Sequence, residues 1–171
     1  MDGVVYDLDG TLVSLPVDWR AVTADVRALL DAAGVNAAEY ATWGLLDAAE
    51  SAGVGDEAER IISEYEREGA KTAERLPLAD ELAGSDVPVA VCSLNCEAAC
   101  RVALSRHGLL DSVETVVGRD SVAERKPHPE PLRAAVRALG VPPERVVFVG
   151  DAERDEETAR RAGTDFRYVE D

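Results

Sequence analysis

Gly3-Val4-Val5-Tyr6-Asp7-Leu8-Asp9-Gly10-Thr11 lies almost at the N-terminus of a chain of 171 residues, and the rest is read from it. Gly3 to Tyr6 is short, β-rich and stops where charge begins, as a buried parallel strand does on reaching the edge of its sheet. Asp7 and Asp9 then project from the carboxyl end of that strand. Gly10 can take backbone angles closed to other residues, and the Thr11 hydroxyl can hold a tight turn. Two carboxylates so close repel each other unless neutralised, so a hard divalent cation with oxygen ligands, Mg²⁺ above all, is the expected companion. Taken alone, the same residues would serve equally as an Asp-Gly turn between strands.

After Thr11 the strand signals vanish until about Val87. Three helices are expected in the gap: Asp18 to Ala33 before Gly34, Ala37 to Ala52 before Gly53, and Asp56 to about Arg75 before Pro77. In the first, Trp19, Val22, Val26, Leu29 and Leu30 form one apolar face. Inserted directly after the paired aspartates, such helices are well placed to stand over them as a lid. From Leu78 onward helices and strands alternate. The expected order is a helix to Gly84, strand Val87–Cys92, helix Cys96–His107, strand Val113–Val117, helix Pro129–Leu139, strand Val146–Val149, helix Asp155–Ala162 and strand Phe166–Val169. Such alternation implies right-handed crossovers and an α/β fold, a parallel sheet covered by helices on both faces, with ligands bound at its carboxyl edge.

Three further strand ends and loops feed that edge. Val87–Cys92 runs into Ser93-Leu94-Asn95 and then a helix, so the Ser93 hydroxyl and free backbone amides form an anion seat, although a plain helix cap has the same sequence. Val146–Val149 ends at Gly150-Asp151, which turns Asp151 toward Asp7 and Asp9, with Asp155 read as an N-cap carboxylate, a metal-supporting group or both. Lys126 sits among the alternating prolines of Arg125-Lys126-Pro127-His128-Pro129-Glu130-Pro131, which hold the loop extended. With Lys71 it is one of two lysines in a chain that otherwise uses arginine, and a compact positive charge in a rigid loop suits phosphate.

Composition sets the frame. The length suits one core with a small insertion rather than two full domains. Thirty-four acidic residues against 18 basic ones give a net charge of −16, which disfavours nucleic acid and anionic membranes as partners. No apolar segment is long enough to span a bilayer, and the chain enters its first strand at once, so a cytoplasmic location is expected. Few aromatics and much Ala, Val, Asp and Glu resemble a haloarchaeal protein built for high salt, where counterions screen self-repulsion. Cys92, Cys96 and Cys100 are odd in number; Cys96 and Cys100 form a stripe with Leu104, which favours small core residues over disulfides or zinc ligands.

Together, Asp7-Leu8-Asp9-Gly10-Thr11, Ser93, Lys126-Pro127 and Gly150-Asp151 with Asp155 match in order the four motifs of the haloacid dehalogenase superfamily, and the chain resembles that family over its whole length. The resemblance implies a Rossmann-like core from 1–14 and 76–171. It also implies the branch with a helical cap, here 15–75, which includes phosphoglycolate phosphatase-like enzymes. Asp7 would be the nucleophile that becomes an aspartyl phosphate, and Asp9 the general acid and base. Mg²⁺ would be held by Asp7, the Asp9 carbonyl and Asp151 with support from Asp155, and phosphate by Ser93, Asn95, Lys126 and Thr11. Dehalogenase members lack the second aspartate, so a phosphatase acting on a small phosphorylated substrate as a monomer or weak homodimer is expected; a phosphomutase or a non-catalytic acidic binding protein are the alternatives. Trp19, Arg20 and Trp43 on the cap, and Arg119, are candidates to meet the substrate, although core packing or solvation explains them as well.

Overall fold

The structure, a computed structural model, describes residues 1–170. Five parallel strands form the central sheet: β1 (Gly3–Tyr6), β4 (Val89–Cys92), β5 (Thr115–Val117), β6 (Val146–Gly150) and β7 (Asp165–Tyr168), in the order β5-β4-β1-β6-β7. Side chains alternate across the pleat, so the two faces build separate cores. Tyr6, Val89, Val91 and Val149 pack on one face, with α4 (Leu78–Ala83) and α5 (Glu97–Arg106). Val5, Ala90, Cys92, Val146 and Phe148 pack on the other, beneath α6 (Glu130–Leu139) and α7 (Glu153–Ala162). The chain steps outward from β1 to β4 and β5, then jumps back to β6 on the far side of β1. The strand order therefore reverses between β1 and β6, and a crevice opens at their carboxyl ends.

Between β1 and β4 the chain leaves the sheet. Helices α1 (Trp19–Ala32), α2 (Thr42–Ser51) and α3 (Gly55–Ala70) share an apolar cluster of their own, with Val22, Val26 and Leu30 of α1 against Leu45, Leu46, Ala58 and Ile62. The Asp18 carboxylate starts α1 by accepting the Ala21 N–H at 3.0 Å. Two strands that the sequence does not announce flank the helices: β2 (Val13–Ser14) pairs antiparallel with β3 (Glu74–Arg75). The third helix therefore ends at Ala70 rather than near Arg75. Both residues of β3 are exposed and pair through their backbones alone, so they carry no apolar alternation to read.

Other boundaries shift by a few residues. The second helix begins at Thr42 instead of Ala37, β4 at Val89 after Pro88, and β5 at Thr115 after a 3₁₀ turn over Leu110–Ser112. The last helix begins at Glu153, which puts Asp155 in its third position and Ala152 at the cap. Asp155 is thus not an N-cap residue, although its carboxylate still accepts the Ala152 N–H at 3.3 Å. All three cysteines are buried free thiols.

Candidate active site

Asp7 follows β1, Ser93 follows β4 and Asp151 follows β6, so the crossing of strand order gathers them at one crevice. A cavity of about 430 Å³ opens there, lined by Asp7, Asp9, Ser93, Asn95, Lys126, Asp151, Arg154 and Asp155 on the sheet side. Trp19 and Trp43 line it from α1 and α2. This is room for a small organic phosphate.

Lys126 is the hub of the floor. Its buried ammonium donates to Asp155 Oδ1 at 2.7 Å, Asp7 Oδ1 at 3.0 Å and the Cys92 carbonyl at 3.3 Å, and lies 5.4 Å from the centre of the Phe148 ring. Burial alone would lower its pKa, but the Asp7 and Asp155 carboxylates hold it above the ordinary lysine value. Burial dominates at Asp7 and pushes it up to about 7, Lys126 opposing the rise and Asp155 adding to it. Two carboxylates share one ammonium, so pairing with Lys126 does not bring Asp7 down. Asp9 is also raised, first by burial and then by the Asp151 charge, while its Oδ1 accepts the Leu15 N–H at 2.9 Å.

Asp7, Asp151 and Asp155 each offer a carboxylate oxygen within 4.8 Å of the others. The Asp9 carboxylate stands outside that trio. Two glycines allow the approach: a Cβ on Gly10 would stand 2.1 Å from Asp151 Oδ2, and one on Gly150 2.6 Å from Asp155 Oδ2. Gly10 also has φ +77°, which disfavours any other residue. Four carboxylates against Lys126 and Arg154 leave the cavity short of positive charge, and a small all-oxygen donor set is what a hard divalent cation takes. The residues present therefore fit Mg²⁺.

Three expected site residues do not reach the cavity. Thr11 is buried with its hydroxyl unpartnered, and its N–H is spent on the Leu8 carbonyl at 3.2 Å. Arg20 is exposed on the outer side of α1. Arg119 is buried, with its guanidinium held by Glu59 and Glu66 of α3 and stacked 5.3 Å from the centre of the Trp43 ring. Trp43 in turn meets Trp19 edge to face at 5.8 Å.

Two residues were not anticipated. Arg154 reaches the cavity, and among the described residues no carboxylate pairs with it. Glu66 is fully buried and bonds the Asn95 side chain at 2.9 Å. Its signal was present in the sequence: Ala58, Ile62, Glu66 and Ala70 recur every fourth residue along the buried stripe of α3, and one of the four is charged.

Residues 4–169 match the family model described as haloacid dehalogenase-like hydrolase. The chain belongs to this family. A phosphoglycolate phosphatase of Rhodospirillum rubrum is 35% identical over 94% of this chain and 76% of its own. An N-acetylmuramic acid 6-phosphate phosphatase of Pseudomonas aeruginosa is 29% identical over 96% of this chain and 79% of its own. The crystal structure of CbbY from Rhodobacter sphaeroides in complex with phosphate superposes with a TM-score of 0.66 at 20% identity, covering 98% of this chain and 85% of that one, and so shares the fold. Within the haloacid dehalogenase-like hydrolases, this protein is an enzyme of the phosphatase kind.

Proposed function

We propose that the protein hydrolyses a small phosphate monoester, with Mg²⁺, through an aspartyl phosphate on Asp7. The observation that carries this reading is the meeting of Asp7, Lys126, Asp151 and Asp155 in the crevice between β1 and β6, with Asp9 and Ser93 on the same cavity. Mg²⁺ would be held by Asp7 and Asp151, with Asp155 and the Asp9 carbonyl in support, and when bound it neutralises charge on the phosphoryl oxygens.

Asp7 attacks phosphorus in line; the new bond runs from its carboxylate oxygen to phosphorus as the bond to the substrate's alkoxide breaks. Asp9 gives that alkoxide its proton, and its raised affinity for a proton suits the task. Asp9 then takes a proton from the water that attacks phosphorus, the Asp7–phosphorus bond breaks, and inorganic phosphate leaves. Ser93, a backbone amide near Asn95, and Lys126 receive the remaining phosphoryl oxygens.

Helices α1–α3 act as the cap of the helical-cap branch, residues 15–75. Trp19 and Trp43 close the cavity over the organic part of the substrate. Arg154 supplies a cation for a second anionic group, which favours a phosphorylated acid such as phosphoglycolate, the substrate named for the Rhodospirillum rubrum relative. The net charge of −16 is read as adaptation to high salt.

Phosphate release from an aryl phosphate and a panel of monoesters, in Mg²⁺ at low and molar KCl, tests this. Mg²⁺-dependent release that is faster in KCl and absent in Asp7→Asn is expected. Release equal in the wild type and Asp7→Asn would contradict the mechanism, and the best substrate of the panel would identify the class.

A further inference from the structure

Glu66 has no exposure to solvent, and a carboxylate on the apolar stripe of a helix costs free energy unless its lone pairs find donors. Every neighbour supplies one. Oε2 accepts from Asn95 Nδ2 and Arg119 Nη1, each at 2.9 Å; Oε1 accepts from Arg119 Nη2 at 2.8 Å and the Cys96 N–H at 3.2 Å. Arg119 grips the same turn from the other side, its Nη1 donating to the Leu94 carbonyl at 2.7 Å and its backbone N–H to the Asn95 carbonyl at 2.9 Å. Within the turn, the Ser93 hydroxyl donates to Asn95 Oδ1 at 3.2 Å and the Asn95 N–H donates to Ser93 Oγ at 3.0 Å. The Asn95 amide is thereby fixed at both ends, its NH₂ given to Glu66 and its oxygen to Ser93.

We infer that Glu66 and Arg119 are positioning residues for the phosphoryl group. Neither lines the cavity; both hold the Ser93–Asn95 turn in the conformation that presents it there. Because Glu66 belongs to α3, the seating of the helical segment and the quality of the phosphate seat are one property. This rests on the phosphatase reading, which gives the turn a phosphate to bind.

Glu59 separates positioning from a merely structural ion pair. It binds the same arginine, at 2.6 Å, but its side chain is 29% exposed and, among the described residues, makes its hydrogen bonds to Arg119 and Ser63 rather than to the Ser93–Asn95 turn. Glu66→Gln sets an amide NH₂ against two of these four donors whichever way it turns, Asn95 and Arg119 on one side or Cys96 and Arg119 on the other, so the hold on the Ser93–Asn95 turn is weakened. Calorimetric titration of the full chain with inorganic phosphate in Mg²⁺ reads the consequence. Phosphate affinity should fall about tenfold in Glu66→Gln, the loss of a hydrogen bond to a charged group. Mg²⁺ affinity should be unchanged, and Glu59→Gln should stay within about twofold, as expected of a partly exposed pair. Arg119→Lys, which keeps the charge but not the fork, should weaken phosphate as Glu66→Gln does and serves if Glu66→Gln fails to fold.

Wild-type phosphate affinity in a folded Glu66→Gln or Arg119→Lys would overturn the inference. So would an equal loss in Glu59→Gln, or the failure of both main variants to fold, since the role would then be structural. A wild-type protein that neither binds phosphate nor hydrolyses any ester would remove the phosphatase reading as well, whereas an active wild type with an unshifted Glu66→Gln would remove this inference alone.

Discussion

The floor and the roof of the cavity are built on opposite physical principles. The floor sets buried charge on strand ends: Asp7 and Asp155 share Lys126, and Asp151 stands within reach because Gly10 and Gly150 leave room. The roof is aromatic, Trp19 against Trp43, with Trp43 backed by the Arg119 guanidinium. Charge out of water is costly and must be matched partner by partner, so the floor tolerates little change and dictates the reaction. An aromatic roof is graded by area and shape, so under the proposed function it would select what fits without taking part in bond making.

Substitutions should therefore fall unequally on the two halves. Asp7→Asn should abolish turnover, and Lys126→Ala should lower kcat by about a hundredfold, the scale of losing one electrostatic contact to a transition state. A Lys126→Ala enzyme with kcat within a few-fold of the wild type would break the distinction between floor and roof. At the other extreme, Trp43→Ala should change the ratio of kcat/KM between two monoesters by about fivefold while leaving kcat on an aryl phosphate nearly unaltered. Loss of turnover on every substrate alike would give the roof a part in the chemistry.

The floor should also show itself in stability. Burial raises Asp7 from the ordinary 3.8 to about 7 in the metal-free protein, so between these values the folded chain holds a proton that the unfolded chain releases. Stability from this source is present below pH 4 and lost as pH rises through 7. In EDTA, Tm of the wild type measured against Asp7→Asn should fall from pH 5 to pH 8. On the proposed mechanism Mg²⁺ would bind the ionised carboxylate in competition with the proton, and it should raise wild-type Tm more at pH 8 than at pH 5. A wild-type Tm that climbs relative to Asp7→Asn across that interval would contradict burial as the dominant influence on Asp7.

The same contrast explains what could be read from the sequence. Asp7, Ser93, Lys126 and Asp151 lie at strand ends or in a proline-fixed loop, and a parallel sheet sends such positions to one edge whatever the helices do. Contacts made across the helical segment have no such rule. Glu59 and Glu66 meet Arg119 only once α3 has docked on α5, 53 to 60 residues apart in sequence, so the sequence leaves substrate contact, packing and solvation equally open for Arg119, whose guanidinium is fully engaged. Arg20 and Trp19 are neighbours in sequence, yet the rotation between successive helix positions puts the first in solvent and the second at the cavity. Glu74 and Arg75 of β3 are exposed and pair with β2 through the backbone, and Asp155 is the third residue of its helix because Ala152, which has no capping side chain, stands at the cap.

The central claim is that Asp7 forms a bond to phosphorus, and acid-quenched single turnover with a phosphate-labelled substrate in Mg²⁺, followed by peptide mapping, tests it most directly. Alkali-labile label should appear transiently on the N-terminal peptide carrying Asp7 and be absent from Asp7→Asn. Turnover that proceeds with no labelled peptide, or with the label on another residue, would contradict it.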